Sequence, residues 1–342
     1  MRPARVQLIL LAALFFVCPF LAAARQAPPV VEVIPQTGEA EKGAIRPWSL
    51  AIHGGAGTIP KNIPEEERDR YLASLRAALE LGRDLLAKGS SSLDTVEAVV
   101  RFLEDDPLFN AGKGAVFTHD GTHELDAAIM DGRDLSCGAV AGLTTVRHPV
   151  SLARLVKETS PHVFLVGDGA EAFATERQVE RVENSWFDTP KRRAQWQEAL
   201  AREEAAKPKG TVGAVALDQQ GNLAAATSTG GMTNKRWGRL GDVPVIGAGT
   251  YANNKTCAIS ATGWGEKFIR HTVAHDISAL MEYAGLTLQQ AADRVIHEKL
   301  EKDDGGVIGV ARDGSIALVF NSEGMYRGAA DSKGRFEVKI WE

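Results

Sequence analysis

The junction between Gly210 and Thr211 has the residue types that a self-activating nucleophile needs. A polar, charged stretch ends at Gly210, and an apolar, strand-like run of small residues, Thr211–Asp218, begins with the threonine. If the bond before Thr211 were cut, the new α-amine would lie beside the threonine hydroxyl. An amine with a pKa near ~8 can accept the hydroxyl proton at neutral pH. On this pattern alone the simpler interpretation is still favoured, in which Thr211 is a β-branched residue that begins a strand.

Three other patterns resemble known sites but lack essential parts. Gly167–Ala172 follows a strand and opens a helix, as a dinucleotide-binding turn does, but no second strand ending in an acidic residue follows it. His271 and His275 are four residues apart on one helix face, but the glutamate of a zinc protease motif is absent. His119 and His123 flank a turn. We therefore predict no nucleotide site, no zinc site and no catalytic cofactor.

Longer motifs along most of the chain resemble those of the plant-type asparaginase and isoaspartyl peptidase family. They occur in order over nearly all of residues 48–328, and they are long and specific. The matching segments are Ala51–Gly57, Pro107–Phe117, His123–Ala127, Gly210–Asp218, Ala226–Lys235, Gly249–Asn254, Ala261–Glu266 and Phe320–Arg327.

This resemblance implies an α+β fold of the N-terminal-nucleophile hydrolase type, an αββα sandwich. It implies that the precursor cuts itself before Thr211 into an α subunit, 25–210, and a β subunit, 211–342. The two subunits remain parts of one hydrolase domain, 48–342. Residues 186–209 are expected to form an exposed linker before the cut. Members of the family usually form a dimer of αβ units, so we expect a homodimer.

The implied activity is hydrolysis of β-aspartyl (isoaspartyl) dipeptides and of the side-chain amide of L-asparagine. Both are small-molecule substrates with an aspartyl head joined through its β-carbonyl. Two alternatives remain. One is a glycosylasparaginase, a branch in which aspartate usually precedes the threonine, and Gly210 argues against it. The other is an uncleaved, non-catalytic binding protein for acidic amino acids, and the presence of Thr211, Thr229 and Thr262 argues against it. The preferred natural substrate stays open.

The resemblance also implies the catalytic roles. Thr211 would be the nucleophile, with its freed amine as the base, and Thr229 would hydrogen-bond the nucleophile. Thr262 and the backbone of Gly263 would form the oxyanion hole and contact the substrate. Such donors stabilise the charge that develops in the tetrahedral state.

Other residues would bind the aspartyl head. Arg239 would hold its α-carboxylate, Asp242 its α-ammonium, and Gly265 would bring the main chain close to it. Asn110 would lie in a loop behind the site, and Trp264 departs from the smaller residues usual at its position, which leaves its effect on specificity open. A structural sodium ion would bind main-chain carbonyls of that loop, those of Leu103, Glu104, Phe109 and Ala111.

The apolar periodicity predicts the elements that position these residues. Spaced leucines predict a helix over Glu65–Lys88, ended by Gly89, and a second helix over Ser92–Glu104 that stops before Pro107. Pro149 is typical of the first turn of a third helix. Strands in hairpins and helices in pairs favour antiparallel sheets covered by helices. The other predictions are strands at 49–53, 124–130, 137–145, 162–166 (buried), 245–248, 256–261 and 335–341, hairpins of 211–218 with 222–229 and of 306–311 with 315–320, and helices at 265–284 and 287–300.

The composition is that of an ordinary globular protein. Of 342 residues, 44% are hydrophobic and 24% are charged. These values exclude a disordered chain, a collagen-like chain and a polytopic membrane protein. The net charge is -5, and no block rich in lysine and arginine occurs, so we expect no nucleic-acid partner.

The first residues predict export. Two arginines in the first five residues precede an apolar run, 8–21, and three alanines follow it. This pattern predicts a signal peptide over 1–24 and a periplasmic or secreted protein, although the exact cleavage site stays open. An uncleaved membrane anchor fits less well, because the run is short for a span of about 20 residues. Cys137 and Cys257 remain after cleavage, and whether they pair is open.

Overall fold

Strands of alanine, glycine and valine lie at the centre of the fold, where small side chains let layers pack on both faces. The computed structural model describes residues 47–202 and 210–342. The predicted signal peptide, 1–24, therefore lies outside the described residues, as do positions 203–209 of the predicted linker.

The strands form two sheets. In chain order they are β1 Ser49–Gly57, β2 Leu125–Asp131, β3 Cys137–Leu143, β4 Phe164–Val166, β5 Val212–Leu217, β6 Leu223–Thr229, β7 Thr250–Ala252, β8 Cys257–Gly263, β9 Gly305–Ala311, β10 Ile316–Phe320, β11 Gly324–Asp331 and β12 Phe336–Lys339. The larger sheet has the order β12-β11-β1-β5-β6-β2-β3-β4, and the smaller has the order β10-β9-β8-β7. Neighbouring strands are antiparallel, except that β3 and β4 are parallel.

Helices cover the sheets. They are α1 Glu65–Ala87, α2 Ser92–Asp105, α3 Pro149–Thr159, α4 Gly167–Glu176, α5 Pro190–Ala201, α6 Gly265–His271, α7 Val273–Ala284 and α8 Leu288–Asp293, with short 3-10 turns at Gly112–Gly114 and Asn184–Phe187 and a π-helical turn at Arg294–Lys299. Within the described ranges, none of these helices is long and apolar enough to cross a membrane.

Alternate residues of one strand reach two different cores. Ala214 and Ala216 of β5 belong to the core beneath α1, α2 and α3. Val215 and Leu217 belong to the core that joins the two sheets and continues to α7 and α8. Because side chains alternate between the faces of a strand, this division produces the layers helix, sheet, sheet, helix. The predicted αββα sandwich is confirmed.

Most predicted elements occur within two residues of their expected bounds, including α1, α2 and both hairpins after Thr211. Gly89 follows α1 with φ +89°, as expected for the residue after a helix. The strand predicted at 49–53 continues through the glycines to Gly57, with a bulge between His53 and Gly55. Strand β11, Gly324–Asp331, was not predicted.

Four predictions were wrong. The predicted strand 245–248 consists of turns and bends, with an isolated β-bridge from Ile246 to Thr250. The apolar run 162–166 is not buried, since its strand β4 is the edge of the sheet and Val166 is 54% exposed. The predicted exposed linker, 186–209, contains the capped helix α5, in which Arg192 and Ala199 are buried. The predicted helix 265–284 breaks at Thr272, whose φ is +46°, into α6 and α7.

Candidate active site

The bond before Thr211 lies in a tight backbone environment. Gly210 has φ +89°, a conformation that favours glycine. A side-chain carbon at Gly55 would lie 2.4 Å from the Cα of Gly210, so the glycines of β1 pass directly against the junction. Thr211 itself is buried and directly precedes β5. The close packing fixes the position of the bond relative to the groups around it.

The hydroxyl of Thr211 has a hydrogen-bond partner across the hairpin. Val212 of β5 lies opposite Ser228 of β6, which brings Thr211 and Thr229 together. The Oγ1 of Thr211 donates to the Oγ1 of Thr229 at 3.1 Å, and the same Thr229 oxygen accepts the N–H of Gly231 at 3.0 Å. The hydroxyl proton of Thr211 therefore points to Thr229.

Asn110 binds the carbonyl at the junction. Its Nδ2 donates to the oxygen of Gly210 at 2.9 Å and to the oxygen of Gly231 at 2.7 Å. Its Oδ1 accepts the N–H of Val116 at 3.0 Å, which fixes the amide's orientation. The side chain is fully buried. An amide donor on the Gly210 oxygen polarises the carbonyl that precedes Thr211.

A buried polar network below the junction was missed by the sequence reasoning. The Nδ1 of His53 donates to the carbonyl of Thr211 at 3.0 Å, so its Nε2 accepts from the Ser260 hydroxyl at 2.8 Å. The network continues from Ser260 to Thr227 at 2.7 Å and on to Thr250 at 2.8 Å. Burial lowers the pKa of His53 to about 3, so the ring stays neutral. The only sequence signal for His53 was its place in the segment Ala51–Gly57.

Thr262 and Gly263 end strand β8 next to the glycine segment. The Oγ1 of Thr262 accepts the N–H of Ala56 at 3.1 Å, so its own proton is left to donate elsewhere. Gly263 has no room for a side chain, because a Cβ there would lie 2.1 Å from the carbonyl oxygen of Asp304. The structure thus brings both residues to the end of β1 that passes against Gly210.

The predicted head-binding residues lie together. Arg239 donates from Nε and Nη2 to the carboxylate of Glu266 at 2.9 and 2.8 Å, a partner that sequence reasoning missed. A side-chain carbon at Gly265 would lie 2.9 Å from the backbone nitrogen of Asp242 and 3.0 Å from Arg239. Asp242 is buried, one of its carboxylate oxygens has no hydrogen-bond partner within the described residues, and burial raises its pKa to about 7. Trp264 precedes α6 and is 38% exposed.

The loop after α2 presents main-chain oxygens close to two glycines. A Cβ at Gly112 would lie 2.2 Å from the carbonyl oxygen of Glu104, and one at Gly114 would lie 2.1 Å from that of Phe109. The carbonyl oxygens of Glu104 and Phe109, two of the four predicted, thus lie against positions that have no side chain, and hard cations prefer such main-chain oxygens. These two oxygens are of the type that would bind a sodium ion.

The other candidate ligands do not form a cluster. His271 and His275 lie on two helices, α6 and α7, which corrects the expectation of one helix face. Among residues 47–202 and 210–342, no group of three or more His, Cys, Asp or Glu side chains could hold a metal ion. Cys137 and Cys257 are free thiols, and burial raises the pKa of Cys257 to about 12.

Comparison with known proteins gives matches over the whole described fold. A family model described as Asparaginase matches residues 46–340. The isoaspartyl peptidase of Salmonella typhimurium is 55% identical over 292 residues, which cover 81% of this chain and 93% of the relative. That of Escherichia coli is 53% identical over 294 residues, 81% and 91% of the two chains. The probable isoaspartyl peptidase/L-asparaginase 2 of Arabidopsis thaliana is 44% identical over 324 residues, 86% and 99% of the two chains.

Proposed function

The chain belongs to the asparaginase family, and on that basis we propose that it is a self-processing hydrolase of β-aspartyl dipeptides and of the side-chain amide of L-asparagine. The observation that carries the proposal is the geometry at one peptide bond. On one side of this peptide bond, the Thr211 hydroxyl donates a hydrogen bond to Thr229. On the other side, the Gly210 carbonyl accepts a hydrogen bond from Asn110. Nucleophile and polarised carbonyl therefore belong to adjacent residues.

Self-cleavage is the first reaction. In the precursor the nitrogen of Thr211 is an amide and cannot act as a base. The hydroxyl oxygen attacks the carbonyl carbon of Gly210, the C–N bond breaks, and the hydroxyl proton moves to the leaving nitrogen. Asn110 stabilises the negative charge on the carbonyl oxygen. Water then hydrolyses the resulting ester, which leaves a carboxylate at Gly210 and a free amine at Thr211.

Substrate turnover uses that new amine. It accepts the Thr211 hydroxyl proton while the hydroxyl oxygen attacks the β-carbonyl of the substrate. The C–N bond of the substrate breaks, and the proton passes to the leaving nitrogen, which departs as ammonia or as an amino acid. Water hydrolyses the β-aspartyl ester and restores the hydroxyl. Thr262 and the N–H of Gly263 donate to the oxyanion of this reaction.

Recognition of the aspartyl head rests on two opposite charges. Arg239 keeps Nη1 outside its bonds to Glu266, so this nitrogen remains a donor for the substrate's α-carboxylate. The carboxylate of Asp242 accepts hydrogen bonds from the α-ammonium, which supplies a partner for the Oδ2 that has none within the described residues. Gly265 allows the close approach of the head.

Three further features belong to the same proposal. A sodium ion bound by the carbonyls of Leu103, Glu104, Phe109 and Ala111 stabilises the loop that carries Asn110. The processed protein assembles as a homodimer of αβ units and takes no nucleic acid. The segment 1–24 directs export to the periplasm or the medium, where the enzyme acts.

A denaturing gel combined with product analysis tests the proposal. We expect two fragments, and N-terminal sequencing of the smaller should begin Thr-Val-Gly-Ala. The same sample should release ammonia from asparagine and free aspartate from β-aspartyl dipeptides. A fully active chain that stays intact after long incubation would overturn the nucleophile. Two fragments without hydrolysis of either substrate would overturn the substrate class.

A further inference from the structure

A cavity of about 230 Å³ lies beside the bond before Thr211. Its lining includes Gly210 and Asn110, and it includes Lys191, Arg192 and Gln195 from the first turns of α5. None of the α5 residues takes part in self-cleavage or in binding the aspartyl head as proposed above. The cavity is thus a second space at the site, and it is far larger than ammonia requires.

One buried cation in this cavity has no acidic partner among the residues that the structure describes. Arg192 is only 6% exposed, its Nε donates to the carbonyl of Gly114 at 2.7 Å, and its Nη1 donates to Gln195 at 3.0 Å. No carboxylate of the described residues forms an ion pair with it. The neighbouring Lys191, in contrast, is paired with Glu67 at 2.6 Å. In the uncut chain the lining therefore keeps one positive charge that no carboxylate of the described residues pairs, and a buried charge of this kind favours an anion.

The position of the leaving nitrogen connects this cavity to the reaction. In the precursor the nitrogen of Thr211 is bonded to Gly210, which lines the cavity. After the cut, this nitrogen hands a proton to the leaving nitrogen of the substrate, so the two must come within hydrogen-bond distance. The leaving group then lies next to the space that Gly210 borders.

We propose that the cavity binds the leaving amino acid of a β-aspartyl dipeptide and that Arg192 binds its free α-carboxylate. The inference rests on the proposed hydrolysis and names the subsite that selects among its substrates. A leaving residue in a dipeptide has one carboxylate and no free amine, which matches the one unpaired charge. Ile59, Ile63 and Leu108 also line the cavity and give an aliphatic side chain apolar contacts. Ammonia from asparagine can use none of these contacts.

The wild-type enzyme gives the first test, with β-aspartyl-leucine and its C-terminal amide as the probes. The two substrates share the aspartyl head and the leucine side chain, and they differ only in the charge facing Arg192. We expect kcat/KM to be higher for the carboxylate by at least about tenfold, as for a charge-assisted hydrogen bond. Equal values for the two substrates would overturn the proposal.

Variants of α5 and of the residue that follows it give the second test, with rates normalised to the amount of processed fragment. In Arg192→Gln the preference for the carboxylate should fall to near one, and Arg192→Lys should keep part of it. The matched control is Arg202→Gln, an exposed arginine beyond the end of α5 that pairs with Glu198. It should keep the wild-type ratio. Retention of the full ratio by Arg192→Gln would overturn the assignment.

The outcomes separate this inference from the proposed function. Hydrolysis of asparagine and of both dipeptides without discrimination between carboxylate and amide would refute the subsite alone. Failure to hydrolyse any of these substrates would refute the proposed function and the subsite with it.

Discussion

At the scale of single residues, the most informative group is a carboxylate that the free protein does not satisfy. Asp242 is buried, and its Oδ2 lacks a hydrogen-bond partner within the described residues. Burial of such a charge is unfavourable, which is why the pKa of this carboxyl rises to about 7. A substrate ammonium would remove the penalty. The charged form of Asp242 therefore lowers the stability of the free protein, and a bound ammonium would offset this loss.

The first prediction concerns this cost. The pKa of Asp242 is about 7 in the folded protein and 3.8 in the unfolded chain, so the folded state favours the protonated carboxyl. The stability that protonation contributes is full below pH 3.8 and is lost as the pH rises to about 7. Asp242→Asn removes the ionisable group. We expect the variant to be more stable than wild type at pH 8, by up to about 4 kcal/mol, and the difference to shrink at pH 5. Urea unfolding at both pH values measures this, and kcat/KM should fall strongly.

A satisfied buried carboxylate provides the control. Asp218 accepts the backbone N–H groups of Ser92, Gln220 and Asn222, each at 2.9 Å. Because Asp218→Asn weakens charge-assisted bonds, it should lower stability at pH 8. If both variants lose stability at pH 8, Asp242 is not the strained group inferred here.

The local pattern predicted where residues lie, and the resemblance supplied their roles. Thr211 and Thr229 lie on adjacent strands of one predicted hairpin, but their hydrogen bond was implied by the resemblance alone. His53 and Ser260 come from β1 and β8, distant parts of the chain, and their contact depends on how two sheets pack. Nothing in the spacing of a single sequence reports such a contact.

At the scale of elements, the sequence predicts the local turns correctly but does not predict which elements are exposed. Both hairpins after Thr211 follow from apolar runs around short turns. Strand β4 was expected to be buried because its residues are apolar, yet it is an edge strand. Helix α5 was taken for a linker because its surface is charged, although Thr189 as cap and Pro190 in the first turn are ordinary signals of a helix start.

The second prediction tests how closely β5 packs on β8. A Cβ at Gly213 would lie 2.0 Å from the Ser260 hydroxyl and 2.4 Å from the Nε2 of His53. Gly213→Ala must therefore displace the network that holds the Thr211 carbonyl. We expect a loss of stability of about 1–3 kcal/mol and slower self-cleavage. Thermal unfolding and a time course of processing measure the two effects.

Gly169→Ala is the matched control for that substitution. Gly169 lies in α4, and a Cβ there would meet no atom within 4 Å. Alanine is the better helix former, so stability should be unchanged or slightly higher. Wild-type processing by Gly213→Ala would show that the network does not position Thr211.

At the scale of the whole molecule, the two halves of the chain alternate within one sheet. Strand β1, from the first half, lies between β11 and β5, and β2 lies beside β6. Three antiparallel ladders thus join the segment before Gly210 to the segment after it. The resemblance implied that the two fragments remain one domain, and this interleaving explains how they can do so without a covalent link.

The third prediction follows from that interleaving. A cut at Thr211 leaves the native contacts in place, so the processed protein should elute at the size of the uncut protein and separate only in denaturant. After full unfolding, however, an uncut chain refolds as one molecule, whereas the two fragments must meet again in solution. Their refolding carries an association cost and depends on concentration.

Thr211→Ala supplies the uncut chain for this comparison, because without the hydroxyl no attack on Gly210 can occur. We expect this variant to regain native structure in high yield at low protein concentration, while processed wild type regains little and improves as concentration rises. Circular dichroism after dilution from urea measures the yield, with a gel to verify that the variant is intact. If processed wild type and Thr211→Ala gave equal yields that did not depend on concentration, association would not limit refolding, and one fragment would have to fold alone. The interleaved order β11-β1-β5 argues against that, since β1 would then lack both of its neighbours.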